Sequence, residues 1–204
     1  MPGSFERNSG GLAFREATDA DLSDVVRVHK SAYSASHFTT LLPDDVLADY
    51  YRRFISDGSS ITVAVSRESG RIEGFAVYGE HIPRKIAQFK RAHTLDLLST
   101  GLRHPVTAVR KVLARLGSGR SAAVRGQAAP AEFLLLSIAV SMPRRGTGLR
   151  LLELVKSAAC EADHDLLGLY VNTDNIAAIN AYFRSGFTLR SATRTQYYME
   201  ALSR

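Results

Sequence analysis

The chain has 204 residues, 26 Lys and Arg against 20 Asp and Glu for a net charge of +6, and one cysteine. A chain of this length buries roughly 70% of its unfolded surface without a staple, and Cys160 alone excludes an intrachain disulfide and a cysteine-based zinc site. No apolar run approaches the ~20 residues of a membrane span and the histidines show no metal-ligand spacing, so the expectation is a soluble protein of a reducing cytoplasm.

Residues 1–11 are polar and glycine-rich and read as a flexible tail. Residues 12–18 suit a short strand. Residues 19–33 suit a helix opened by Asp residues, with Leu22, Val25, Val26 and His29 at helical spacing. Residues 42–58 repeat that logic, with Pro43 in the first turn, Asp44 and Asp45 at the positive end and Gly58 as the stop. Residues 60–66 and 72–79 flank the turn RESGR and read as an antiparallel hairpin. Residues 80–130 break the rhythm: 83–101 and 105–117 look like two helices, each begun by proline and ended by glycine, and 118–131 like a loose connection. Between Arg84 and Arg125, ten basic residues stand against one acid, Asp96, so this segment carries about +9 and the remainder is slightly negative. It holds one aromatic, Phe89, and no nucleic-acid motif, which disfavours nucleic acid as a partner.

The run FLLLSIAV, 133–140, is apolar throughout except for Ser137, as in a strand buried on both faces. A helix follows from about Gly146, a strand at 166–171, and a helix at 173–186 with Thr173 or Asp174 as cap and Gly186 as stop. Residues 187–192 and 195–202 close the chain with strand character.

The turn RRGTG, 144–148, carries the first chemical signal. Glycines let the backbone curl, and the first amides of a helix have no carbonyl partners. With the helix dipole and Arg144, Arg145 and Arg150, those amides suit a phosphate or pyrophosphate. A Walker loop is absent, and a dinucleotide fingerprint fails because position 151 is Leu. Taken alone, the turn is equally compatible with a polar strand-to-helix connection bearing incidental arginines. The second signal is Asn175, Ala178 and Tyr182, which share one helix face: a small residue between an amide and a phenol.

Strand, R-x-x-G turn, helix, strand, then N-x-x-A-x-x-x-Y-x-x-x-G-F resembles the GNAT superfamily of acetyl-CoA-dependent N-acetyltransferases. The resemblance is strongest over Phe133–Phe187, weaker over 12–79, and leaves 80–130 unexplained. It implies an α/β (α+β) fold: a central mixed, mostly antiparallel sheet flanked by helices. It further implies one acetyltransferase domain over 12–204, with 80–130 as a basic, mainly helical insertion. The family's phosphate signature Q/R-x-x-G-x-G/A falls on Arg145, Gly148 and Arg150, arginine replacing the last small residue. By this resemblance the amides of Arg145, Gly146, Thr147, Gly148, Leu149 and Arg150 cradle the pyrophosphate of acetyl-CoA. Ile138, Ala139 and Val140 line the pantetheine arm, and Asn175 adds a contact.

The implied reaction is direct attack of a primary amine on the thioester, with Tyr182 as general acid. Many members carry a glutamate on the strand matching 133–140. Here only Ser137 is available, so Glu80 and His81 at the end of the preceding strand are the candidate bases, with Glu132 or a water chain as alternatives. The acceptor pocket is implied near 33–42 and 195–198. The acceptor is expected to be a small amine or amino sugar, an anionic one being favoured by the basic segment. A protein or peptide N-terminal acetyltransferase and a non-catalytic CoA-binding protein remain alternatives, and a homodimer is left open. Cys160, well inside a helix, reads as a packing residue.

Overall fold

The structure, a computed structural model, describes residues 11–33, 37–55, 58–103, 129–142 and 146–204. The expected helix at 105–117, most of the following connection, and Arg144 and Arg145 lie outside the described residues.

Among the described residues, the β-branched and aromatic runs form seven strands: β1 (Leu12–Glu16), β2 (Ser59–Ser66), β3 (Ile72–Gly79), β4 (Phe133–Val140), β5 (Leu166–Asn172), β6 (Thr188–Ala192) and β7 (Gln196–Leu202). They make one sheet in the order β1-β2-β3-β4-β5-β7-β6. Every neighbouring pair is antiparallel except β4 with β5, which the intervening helix crossover makes parallel. The expected mixed, mostly antiparallel sheet flanked by helices is therefore present.

Six α-helices among the described residues cover the two faces: α1 (Leu22–Ala32), α2 (Asp44–Arg52), α3 (Ile82–Ala92), α4 (Thr94–Arg103), α5 (Thr147–Glu161) and α6 (Ile176–Arg184). Strand alternation divides the apolar side chains between two cores. On one face Val63, Phe75 and Val77 pack with Val25 and Val28 of α1, Leu47 and Tyr51 of α2, and Ile82 and Phe89 of α3. On the other, Ala64, Ala76, Leu135, Leu167 and Met199 pack with Leu151, Leu152 and Val155 of α5 and Ile179 of α6.

Three boundaries differ from expectation. The second helix ends at Arg52, because the bonds Phe54 N–H to Tyr51 and Ile55 N–H to Arg52 tighten its last turn; Gly58, at φ +74°, instead opens β2. Residues 83–101 form parts of two helices, broken at His93. Thr173 and Asp174 do not cap α6: the side-chain oxygen of Asn175 accepts the Ala178 N–H at 3.2 Å and does so.

Candidate active site

β4 is bonded to β3 over its length but pairs with β5 only at Phe133–Leu135, opposite Leu167–Leu169. Beyond that point β5 pairs with β7 alone, so a gap opens between β4 and β5. A bulge lies at the same place: Val77 faces Ser137 and Tyr78 faces Leu135, leaving Leu136 as the extra residue. It reverses the facing of the later strand residues, so Leu135, Ile138 and Val140 share the α5 core while Leu136 and Ala139 share the α1 core. The bond from Ser141 N–H to Glu73 sets the phase of the β3–β4 ladder. By antiparallel alternation, Ser137 and Ala139 bond toward β3, and Ile138 and Val140 turn their N–H and C=O groups toward the gap.

At the far end of that edge the chain enters α5 through Gly146, at φ +75°, a conformation only glycine adopts cheaply. The first helical bond is Arg150 N–H to Gly146, so the amides of Thr147, Gly148 and Leu149 precede the hydrogen-bond ladder. A Cβ on Gly148 would meet nothing closer than Ile138 Cγ2 at 3.9 Å and Val140 Cγ1 at 4.0 Å. Protein packing does not demand a glycine there; the missing side chain leaves a cradle between the helix start and the free edge of β4. Thr147 is buried and Leu149 exposed. Arg150 donates through Nη1 to Glu153 Oε2 at 2.6 Å, with its Nε buried and without a partner.

Tyr182 projects from α6 against Phe187, ring centroids 5.6 Å apart, at the edge of the α5 core. Burial pushes its phenol well above the ordinary range, and Tyr33 pushes it further. That second influence crosses the sheet, because Tyr33 caps the C-terminus of α1 on the opposite face. The Tyr33 hydroxyl donates to the Ile138 carbonyl at 3.3 Å and bonds with Ser137; burial pushes it up to about 12. Its ring stacks with His29 at 4.6 Å and His37 at 5.0 Å. Buried His29 is held in turn by Tyr51 on Nδ1 and Thr39 on Nε2, and burial lowers it to about 3, so it is neutral.

The structure thus brings Ile138, Val140, Gly146, Thr147, Gly148, Leu149 and Arg150 together at the edge of β4 and the start of α5, with Tyr182 in the same core, whereas Ala139 bonds toward β3 and packs in the α1 core. Arg145 lies outside the described residues. Asn175 sits at the start of α6 and spends its side-chain oxygen on the cap. Glu80 and His81 are not brought to this place. They follow Gly79, which faces Leu134, four residues or ~13 Å of strand from Ile138. There Glu80 pairs with His164 at 2.7 Å, and His81 adopts a left-handed φ of 55° before α3. Of the acceptor segments, Tyr198 shares the α1 face with Tyr33 and bonds to Glu200 at 2.6 Å. Tyr33 is the residue whose role the sequence alone left unassigned. Its only local signal is an aromatic four positions after His29 at a helix end; the contact with Ser137 spans more than a hundred residues.

Among the described residues no cluster of His, Cys, Asp or Glu could hold a metal, and no helix is long and apolar enough to cross a membrane.

No family model and no curated protein matches the sequence. Solved structures do. A PaiA N-acetyltransferase from Thermoplasma acidophilum, in complex with coenzyme A, superposes with a TM-score of 0.60 at 12% identity, over 95% of this chain and 99% of that one. YncA from Salmonella typhimurium, a putative acetyltransferase with its cofactor acetyl-CoA, gives 0.58 at 14%, over 96% and 95%. The ribosomal-protein-S18-alanine N-acetyltransferase from Escherichia coli gives 0.57 at 15%, over 94% and 93%. The chain has the fold of the GNAT acetyltransferases.

Proposed function

We propose that the chain is an acetyl-CoA-dependent N-acetyltransferase. The observation that carries this reading is the cradle at Gly148, continuous with the edge of β4 that faces the gap. Amides of Thr147, Gly148 and Leu149 and the positive end of α5 suit the pyrophosphate. The N–H and C=O groups of Ile138 and Val140 suit the amide-bearing pantetheine arm, which can bond to them as a neighbouring strand would. Two of the solved neighbours were crystallised with CoA or acetyl-CoA, and this fold with this cradle supports the same cosubstrate here. Acetyl-CoA supplies an activated thioester. The chain's own contribution is to hold it and to manage two protons.

The acceptor amine, entering neutral, attacks the thioester carbonyl, forming the N–C bond as the C–S bond breaks. Tyr182 stays protonated through the neutral range, since burial raises it, and gives its proton to the departing sulfur. The amine nitrogen loses a proton to solvent, and solvent returns one to the Tyr182 phenolate, so the step balances and the phenol is restored. Glu80 and His81, at the other end of β4, are assigned no part in this step, and a water path serves as the route out. Arg150 spends Nη1 on Glu153 and keeps other N–H donors, so it adds positive charge at the start of the helix without breaking that pair. Among acceptors a small, anionic amine or amino sugar is the reading favoured by the cationic helices on the α1 face. A protein N-terminus is the second reading, suggested by the S18-alanine enzyme among the neighbours.

Gly148→Asp is the direct test. Asp early in a helix complements the dipole, and the space above Gly148 admits a side chain, so folding should be untouched. A carboxylate would then stand where phosphate must sit. Calorimetric titration with CoA should show binding in the parent and its loss in the variant; equal affinity would remove the site from this turn.

A further inference from the structure

The gap between β4 and β5 is a slot through the sheet, with one phenol on each side of it. Tyr182 lies among the side chains of the α5 core, and Tyr33 among those of the α1 core. Strand β4 links them: the Tyr33 hydroxyl reaches the Ile138 carbonyl at 3.3 Å, and Tyr182 packs in the cluster that holds the Ile138 and Val140 side chains. The acetyl transfer proposed for this site uses only Tyr182.

The Tyr33 hydroxyl has two partners on β4. It donates its single proton to the Ile138 carbonyl at 3.3 Å, an oxygen that the ladder turns into the gap. Ser137, brought to the α1 face by the bulge at Leu136, is its second partner. The ring cannot swing freely, since His29 and His37 stack against it at 4.6 and 5.0 Å. His29 is itself fixed by a connected set of bonds: Tyr51 at 2.6 Å on one nitrogen, Thr39 at 3.0 Å on the other, and Thr39 on to His37 at 2.8 Å. A buried hydroxyl whose proton points at a strand carbonyl presents its oxygen lone pairs to whatever shares its pocket. On the α1 face that visitor is the acceptor, because the α5 face carries the cradle for the cosubstrate.

We propose that Tyr33 is a second catalytic phenol, whose oxygen accepts a hydrogen bond from the attacking amine and aims the nitrogen lone pair across the slot at the thioester carbonyl. The inference rests on the acetyltransferase reading. Tyr33 keeps its own proton throughout: burial raises it too far for a phenolate to form at neutral pH, so it orients and does not deprotonate. The amine proton leaves to water, Tyr182 protonates the sulfur, and the two phenols divide acceptor from leaving group.

The kinetic consequence separates the two tyrosines. Tyr33→Phe keeps both ring stacks and removes the hydroxyl, with its bond to the Ile138 carbonyl and the one proposed to the amine. It should raise the KM of the acceptor and lower kcat/KM about tenfold, the scale of one lost bond, leaving the acetyl-CoA dissociation constant unchanged. Ser137→Ala should move the acceptor KM in the same direction by less. Tyr182→Phe should lower kcat and leave that KM alone. The measurement is steady-state acetylation of glucosamine 6-phosphate, spermidine and an alanine-led peptide, with acetyl-CoA affinity by calorimetry and thermal unfolding as a check on folding. A Tyr33→Phe protein with normal acceptor kinetics, or one altered only in acetyl-CoA affinity, overturns the role. A parent protein that neither binds acetyl-CoA nor acetylates any of the three overturns the underlying reading, and the role of Tyr33 with it.

Discussion

Tyr182→Phe preserves the ring on Phe187 and deletes only the hydroxyl, so the change isolates proton donation. The turnover number should fall roughly 10²-fold, the scale of a lost general acid, with CoA affinity intact. Normal turnover in steady-state assays would leave Tyr182 a packing residue. Both Tyr182 and Gly148 are legible in sequence, because each belongs to a local pattern: a helix face at fixed spacing and a glycine turn after an apolar run. Tyr33 and Ser137 are not. They meet only because a bulge at Leu136 turns Ser137 toward α1, and nothing in LLLSIA marks that bulge with a glycine or proline. Glu80 shows the opposite case. A carboxylate at a strand end near the site in sequence lies at the wrong end of the neighbouring strand in space, where it holds His164.

At the scale of elements, the break between α3 and α4 has a cause that helical periodicity does not contain. His93 presents Nδ1 to Asp96 of α4 at 2.9 Å and Nε2 to Asp49 of α2 at 2.8 Å, while its ring stacks on Phe89 of α3 at 4.8 Å. Two carboxylates on two ring nitrogens call for two N–H donors, that is, the imidazolium. The bonds to Asp96 and Asp49 accordingly raise His93 against a smaller effect of burial. Asp49 also faces Arg52 at the end of its own helix and Arg53 just beyond it, and despite burial the bonds from His93 and Arg53 keep it low. His93 is raised in the folded state, so its contribution to stability is complete below the ordinary histidine value near 6.5. It is lost as pH climbs through the raised one. Removing the charge with His93→Gln should therefore lower Tm most at pH 6, and the difference from the parent should narrow by pH 9. Parallel Tm curves across that range would mean that His93 docks these helices by shape alone. The strand pattern, by contrast, is almost wholly readable, since apolar alternation and turn residues act locally. What it hides is the slot: FLLLSIAV looks equally buried throughout, because separation from β5 depends on the partner's register.

Over the whole molecule, the sheet separates two kinds of chemistry. The α5 face presents helix amides and a glycine cradle, which the proposal gives to an anionic cosubstrate, and the α1 face carries helices with a surplus of positive charge. Between residues 84 and 103, Arg84, Lys85, Lys90, Arg91 and Arg103 stand against Asp96 alone. They are not equivalent. Arg84, Lys90 and Arg91 are exposed, whereas Lys85 is buried and donates to Ser59 at 2.7 Å. Lys85 thus belongs to the docking of α3 on β2, and only the exposed residues, Arg103 at the end of α4 among them, can act on a solute through water. Exposed cations of one sign beside an entrance concentrate anions and repel polycations, chiefly through the rate of encounter. Replacing Arg84, Lys90 and Arg91 together by Gln should leave Tm near that of the parent, since solvated charges contribute little to stability. It should raise the KM of glucosamine 6-phosphate and lower that of spermidine, with acetyl-CoA affinity nearly constant. Screening acts over about 10 Å at 0.1 M salt, so raising ionic strength in the parent should reproduce the same trend without any substitution. Spermidine as the best acceptor at low salt, undiminished by the intact cations, would show that the charge on these helices serves folding or solubility and does not select the acceptor.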